Sequence, residues 1–419
     1  MHGCTGVTGF EAGAHKRSKA SYGKKHNKPK SSWRVSSAWL GFGLGCGGFF
    51  GTPGVAHAVR LWPLRQRRKA VPATKKKRVM ILMSDTGGGH RASAQALQAG
   101  FAELYGDEYQ IDMVDLWTDH TMWPFNQMPR SYSFAVKNHL IWRCSYYSQQ
   151  PRLVHRSTQR AVGCLVARQI SAAYEECQPD LVVSVHPLMQ LVPLRVLQQR
   201  IRAGLQKPIN FATVVTDLTT CHNSWFHPGV TKCFVATEFA KRRALRMGLK
   251  PDQVVVHGLP IRPAFSRQHP HKQALRRALH MDPGKPAVLL VGGGEGMGPV
   301  EQTVDALVEQ GFVDNLDDWM SAVDCIITKA GPGTIAESLV CGLPILLNGF
   351  IPCQEYGNVS FVLDNKVGAF ERDPVNIANT VKSWFGERRD ELEAMAERAR
   401  CLAQPQALQK IVRDLAALA

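Results

Sequence analysis

Twice in this chain an apolar run of strand length ends in a cluster of glycines that opens a segment of helical spacing. The first reads Arg78-VMILMS-DTGGGH-RASAQAL, with Gly87, Gly88 and Gly89 leading into His90. The second reads Ala287-VLLVGGGEGMGP, with Gly292, Gly293, Gly294, Gly296 and Gly298. Glycine lets a backbone approach a ligand closely, and the free N–H groups of a first helical turn attract negative charge. One such junction is an ordinary tight turn. Two of them constrain the chain to two Rossmann-like halves facing each other across a cleft. No Gly-Lys-Ser/Thr follows either cluster, so neither is a P-loop, and neither keeps the strict G-x-G-x-x-G spacing.

At 419 residues the chain can hold two domains with full cores. A net charge of +17 ordinarily points to nucleic acid or an anionic membrane. Its distribution removes the nucleic-acid reading. Residues 1–78 carry 17 Lys/Arg and one acid, Glu11, whereas the remainder carries 34 bases against 33 acids. The basic leader, rich in Ser, Gly, Lys and Arg, has the composition of an organelle transit peptide over residues 1–77. It contains an uncharged stretch, Ala38 to Val59, whose seven glycines and Pro53 weaken a helix there. A cleaved leader is expected before a permanent anchor, and no later segment is apolar enough to cross a bilayer. The eleven cysteines form no C-x-x-C pair, a reducing-compartment pattern without a structural zinc site. Cys325 and Cys341 lie in apolar runs and read as core.

From Val79 an α/β pattern begins. Val79–Ser84, Tyr109–Asp115, Leu181-VVSVHP, Phe211-ATVVTD, Thr231-KCFVAT and Gln253-VVVHG read as strands alternating with helical segments, which predicts a mainly parallel sheet. Pro260 to about Pro270 reads as a linker. Beyond it, Ala287–Val291, Val323-DCIITK and Leu343-PILLNGF are strong strands, with a weak candidate near Val367. That is few for a sheet covered on both faces.

Three constellations carry chemistry. His90 closes the first glycine loop at a helix start, where an imidazolium is disfavoured. A neutral, proton-accepting ring is the natural state, although a capping or phosphate-touching histidine fits the position equally. In Thr328-KAGPGTIAES, Gly331, Gly333 and Thr334 suit phosphates or a ribose, and Glu337 could accept sugar hydroxyls. Downstream, Gln354, Glu355 and Asn358 form a hydroxyl-reading set, although polar residues at a helix start often only cap it. No D-x-D triplet offers ligands for a metal-bridged pyrophosphate. The third constellation is aromatic: Trp117, Trp123, Phe125, Tyr132, Phe134, Trp142, Tyr146 and Tyr147, interleaved with Arg130, Lys137 and Arg143. It fits a water–lipid boundary and an aromatic core equally well.

Taken together, DTGGGHRASA, WPFNQMPRSYSF, PRLVH, SVHPLMQ, TDLTTCH, GLPIRPAF, AVLLVGGGEGMGP, DCIITKAGPGTIAES and QEYGNV closely resemble the monogalactosyldiacylglycerol synthases, the galactolipid-making enzymes of chloroplasts. The likeness runs from about Arg78 to the C-terminus apart from one gap. It extends to the lipid-linked GlcNAc transferase of peptidoglycan synthesis.

The resemblance implies a GT-B fold: an acceptor and membrane-binding domain over 78–265 and a UDP-sugar domain over 266–419. It implies inverting, metal-independent transfer of galactose from UDP-galactose to the sn-3 hydroxyl of 1,2-diacylglycerol, with no cofactor besides the donor. His90 matches the catalytic histidine. Gly294, Glu295 and Gly296 match the cleft loop, and Arg262 a donor-side arginine. Phe312 matches a residue near the uracil. Gly331, Pro332, Gly333, Thr334 and Glu337 match the ribose–phosphate site, and Gln354, Glu355 and Asn358 the stretch that reads galactose. Trp123 and Pro124, with Arg130 nearby, match the part that meets the membrane and the activating lipids phosphatidylglycerol and phosphatidic acid. A peripheral place on a chloroplast membrane, the envelope first, goes with this, and a homodimer is left open.

Family members have about forty more residues before Gly311–Phe312, enough for one β-α unit near residue 310. Two alternatives follow: a lipid glycosyltransferase using another donor sugar, and an inactive lipid-binding paralogue or truncated form.

Overall fold

Among the described residues ten parallel strands lie in two sheets, each of them on or beside a run read from sequence. The computed structural model describes residues 76–292 and 315–419, apart from 87 and 268. The expected leader, its Ala38–Val59 stretch, and the site positions Gly294, Glu295, Gly296 and Phe312 lie outside the described residues. Everything below belongs to the unit Val71–Ala419.

The first sheet comprises β1 (Lys77–Met83), β2 (Tyr109–Asp115), β3 (Leu181–Ser184), β4 (Asn210–Val214), β5 (Lys232–Val235) and β6 (Val254–Val256), in the order β2-β1-β3-β4-β5-β6. Its strands are continuous apolar runs because helices cover both faces. On one face Met80, Leu82, Val182 and Phe211 pack with Val166, Ile170 and Tyr174 of the helix Arg152–Cys177. On the other, Val79, Ile81, Leu181 and Val183 meet Leu97 and Phe101 of the helix Gly88–Tyr105.

That second face is completed by the last helix of the chain, Ala407–Ala416, through Leu408, Ile411, Val412 and Leu415. The division of the chain at residue 266 is revised accordingly: this helix, expected in the second lobe, returns to the first. Its apolar stripe recurs at the i, i+3, i+4, i+7 spacing of a one-faced helix. Such a stripe demands a cover without naming the lobe. A Cβ on Gly100 would lie 3.0 Å from Val412 and 3.1 Å from Leu408, so this glycine permits the close approach. Asn210 Nδ2 donates to the Leu418 carbonyl at 2.7 Å and helps hold the end in place.

The second sheet contains β7 (Val288–Val291), β8 (Cys325–Lys329), β9 (Ile345–Gly349) and β10 (Gly368–Phe370), in the order β10-β9-β8-β7. The weak candidate near Val367 is therefore a strand. Among the described residues β7 forms an edge, and its four side chains stay half-buried where those of β8 are almost all buried. No helix of the described residues is long and apolar enough to cross a membrane.

Candidate active site

In both sheets the loops at the carboxyl ends of the strands turn toward one region, the place where open α/β sheets bind ligands. From the first sheet come the glycine loop after β1, the His186 turn after β3 and the Thr216–His222 segment after β4. From the second come the turn at Gly331 after β8 and the 350–355 loop after β9. The lobes touch here directly. Thr219 Oγ1 donates to Asn358 Oδ1 at 3.0 Å, and the Gly357 N–H donates to Thr220 Oγ1 at 2.9 Å.

His90 stands in the first turn of its helix and is half-buried. Its Nδ1 lies 2.9 Å from the Val185 carbonyl and 3.0 Å from Thr216 Oγ1. A carbonyl oxygen can only accept, so Nδ1 must carry the proton and Thr216 accepts the same N–H. Nε2 is left with a free lone pair. Burial lowers the pKa of His90 to about 4, against the Val185 carbonyl, which favours the charged form. The ring is therefore neutral at physiological pH.

His186 packs edge-on to His90, with ring centroids 4.4 Å apart, but is wired the other way. Its Nδ1 accepts from the Leu188 N–H at 3.2 Å, so Nε2 donates to Thr86 Oγ1 at 2.7 Å. Both nitrogens are spent, which makes His186 a structural histidine. Beside the pair, Trp225 Nε1 donates to Asp217 Oδ2 at 2.6 Å. Burial pushes that carboxyl up to about 7, opposed by the indole hydrogen bond and helped by the charge of Glu355.

Across the cleft, Gly331 caps the helix Pro332–Val340 with proline at its first position, so its first-turn N–H groups suit a phosphate. Gly333 is exposed and Thr334 half-exposed there. Glu337, one turn further, is buried; its Oε1 accepts from Arg262 Nε at 3.0 Å and lies 3.0 Å from Nη2 of the same guanidinium. Burial raises the carboxyl's pKa, and the guanidinium opposes the rise. Arg262 and Glu337, both placed on the donor side by sequence, thus form one ion pair. His269 also sits between Asp317 and Asp318, at 4.0 and 3.5 Å, a set whose ligand atoms lie within 4.8 Å of one another.

The 354–358 set divides. Glu355 is buried, with Oε1 taking Lys329 Nζ at 2.5 Å and Oε2 the Ile351 N–H at 2.8 Å. Asn358 is buried as well, accepting from Thr219 and donating to the Ala330 carbonyl at 2.9 Å. In this structure the polar atoms of both side chains already hold partners in the protein, which fix the loop and join the lobes. Gln354 differs. Its Oε1 accepts from Tyr132 Oη at 3.1 Å, and its Nε2 has no protein partner among the described residues.

The aromatic cluster divides into a buried and an exposed part. Trp117 and Tyr146 are buried, while Trp123, Phe134 and Tyr147 are 76, 62 and 56% exposed. The exposed members continue into Leu140, Ile141 and Leu153, giving the 122–165 region most of the large exposed apolar side chains. Arg130, exposed at the start of the helix Met128–Lys137, lines grooves shared with Asp85, Pro129 and Lys137.

Comparison with known proteins decides the family. The pattern "Monogalactosyldiacylglycerol (MGDG) synthase" matches residues 90–261, and "Glycosyltransferase family 28 C-terminal domain" matches 289–358. The probable chloroplastic MGDG synthase of Nicotiana tabacum is 49% identical, covering 81% of this chain and 70% of the relative. Chloroplastic synthase 1 of Arabidopsis thaliana is 47% identical over 82% of this chain and 72% of its own. That of Spinacia oleracea is 45% identical over 91 and 80%. The chain belongs to the MGDG synthase family.

With the family come a galactosyltransferase activity and a place in the chloroplast. Acinetobacter baumannii MurG shares the fold at 15% identity, with a TM-score of 0.52 over 81% of this chain and 99% of that one. Arabidopsis UGT89C1, solved with UDP-L-rhamnose, shares it at 12% identity with a TM-score of 0.50, covering 82 and 100%. The fold is GT-B. The tobacco MGDG synthase alignment runs over 378 positions, of which this chain, at 81% of its 419 residues, supplies about 339; about 39 therefore lack a counterpart. That shortfall agrees in size with the gap counted from the motifs.

Sequence reasoning about the MGDG synthase motifs left several working parts without a role. TDLTTCH contributes Thr216 to the His90 contact, Asp217 to Trp225, and Thr219 and Thr220 to the lobe junction. Its polar run at a strand end was the available signal. The Val185 carbonyl had none, since any residue supplies one.

Proposed function

We propose that this chain transfers galactose from UDP-galactose to the sn-3 hydroxyl of 1,2-diacylglycerol, inverting the anomeric centre, on a chloroplast membrane surface. The observation that carries the reading is the wiring of His90. With Nδ1–H held by Val185 and Thr216, Nε2 takes the hydroxyl proton as that oxygen attacks the anomeric carbon. The bond to UDP breaks on the opposite face, and the diphosphate leaves with the electron pair. Backbone N–H groups after Gly331 meet its charge, so no metal ion is needed in this account. Glu337 takes the ribose and Gln354 the hexose. The apolar, basic face of residues 122–165 rests on the lipid, with phosphatidylglycerol or phosphatidic acid as anionic partners.

A second reading is a lipid-binding chain without transfer activity. It is favoured by the unmatched positions. One experiment separates the two. Labelled UDP-galactose is supplied with the full chain and diacylglycerol vesicles containing phosphatidylglycerol. The first reading expects a β-linked galactolipid, lost in His90→Ala while UDP binding persists. Vesicle binding with neither product nor UDP affinity establishes the second.

A further inference from the structure

We infer that Tyr132 is a positioning residue for donor-sugar selection, acting across the cleft through the side chain of Gln354. The inference rests on the reading above, in which Gln354 meets the hexose. Gln354 is a flexible side chain whose amide presents an acceptor at one end and two donors at the other. The Tyr132 hydroxyl, on the helix Met128–Lys137 of the first lobe, donates to Oε1 at 3.1 Å. Oxygen is thereby turned toward the first lobe and Nε2 is left to donate toward the sugar's hydroxyl oxygens.

Two further contacts hold this arrangement. The Tyr132 ring packs edge-on to Trp142 at 5.2 Å, and Trp142 Nε1 donates to the Pro352 carbonyl at 2.7 Å. The loop on which Gln354 sits is itself tightly formed. Cys353 has a φ of +68°, in the left-handed region, and the Gln354 N–H donates to the Pro352 carbonyl at 2.8 Å. Glu355 anchors the far side of the loop to Lys329 and Ile351. The backbone is fixed from the second lobe, while the amide orientation comes from the first. A residue of the acceptor lobe thus sets how the donor sugar is read. Because epimeric hexoses differ in where one hydroxyl points, amide orientation is the quantity that selects between them.

The test compares the full chain with Tyr132→Phe, Gln354→Ala and the double variant in diacylglycerol–phosphatidylglycerol vesicles, using UDP-galactose and UDP-glucose as donors. Tyr132→Phe keeps the ring packing and removes only the hydroxyl. The expected result is a KM for UDP-galactose raised about three- to tenfold, the range of one net hydrogen bond, with kcat within about twofold. The galactose-to-glucose preference falls, affinity for UDP alone is unchanged, and the double variant is no worse than Gln354→Ala. An unchanged KM and preference in Tyr132→Phe, beside a clear effect of Gln354→Ala, overturns the inference and leaves the proposed function standing. A fall in kcat alone, with the preference retained, also overturns it, since a general structural disturbance accounts for that. A wild-type chain that transfers no galactose overturns the reading and the inference together.

Discussion

The indole N–H of Trp225 donates to Asp217 Oδ2 at 2.6 Å, beside a histidine pair and beneath the junction of the two lobes. One hydrogen bond does not repay the burial of a carboxylate, and the Asp217 pKa rises from 3.8 to about 7. The folded form holds its proton more tightly than the unfolded form, so the stability this gives is full below 3.8 and is lost as pH rises through 7. Asp217→Asn keeps an acceptor for Trp225 but cannot ionise. Its unfolding free energy, read by denaturant titration, is expected to exceed the wild type's by a margin that widens between pH 4.5 and 8, toward a limit of about 4 kcal/mol. A margin that stays flat over that interval rules out the raised pKa.

Thr216→Val removes one of the two acceptors of His90 Nδ1–H and leaves the Val185 carbonyl. The imidazole keeps its tautomer and gains freedom to tilt. Transfer in vesicles should fall about tenfold, against about 10²–10⁴-fold for His90→Ala. Thr216→Ser should recover most of the rate. A serine variant as slow as the valine one would show that shape, not the hydroxyl, is what His90 needs.

Gly357→Ala tests the lobe junction. A Cβ there would lie 2.1 Å from Thr220 Oγ1 and 2.6 Å from Thr219 Oγ1, so something must shift. The expected loss is about 1–3 kcal/mol of stability, read by denaturant unfolding. Adding Thr220→Ala should return part of it, because the nearer oxygen is gone. Strictly additive losses would place the strain elsewhere.

Trp123 and Leu140, 76 and 77% exposed, should enter the lipid interface together. Trp123→Ala with Leu140→Ser is expected to lower the partition coefficient for anionic vesicles at least tenfold, since each buried apolar side chain contributes about 1.5–3 kcal/mol. Activity in detergent should change far less. Vesicle flotation and a paired detergent assay decide it, and equal losses in both would point to a folding defect.

Much of this protein was legible before any coordinates. Parallel strands covered on both faces must be unbroken apolar runs, and VMILM, LVV and CII announce themselves without their neighbours. Glycines at strand–helix junctions likewise mark where backbone must meet a ligand, and the motifs around them were long enough to place the chain in its family. The last helix is different. Periodicity says that Leu408, Ile411, Val412 and Leu415 share one side, but only the folded chain shows that this side closes the first lobe.

The same limit governs the polar residues. Gln354, Glu355 and Asn358 look alike in sequence as hydroxyl readers, and His186 offers the same imidazole as His90. Tertiary structure separates them by spending the hydrogen-bonding capacity of some on Lys329, Ala330, Thr86 and Leu188, and leaving that of others open. A side chain's type and spacing determine what it could bind. What remains free to bind is set by partners arriving from distant parts of the chain, and local sequence carries no record of them.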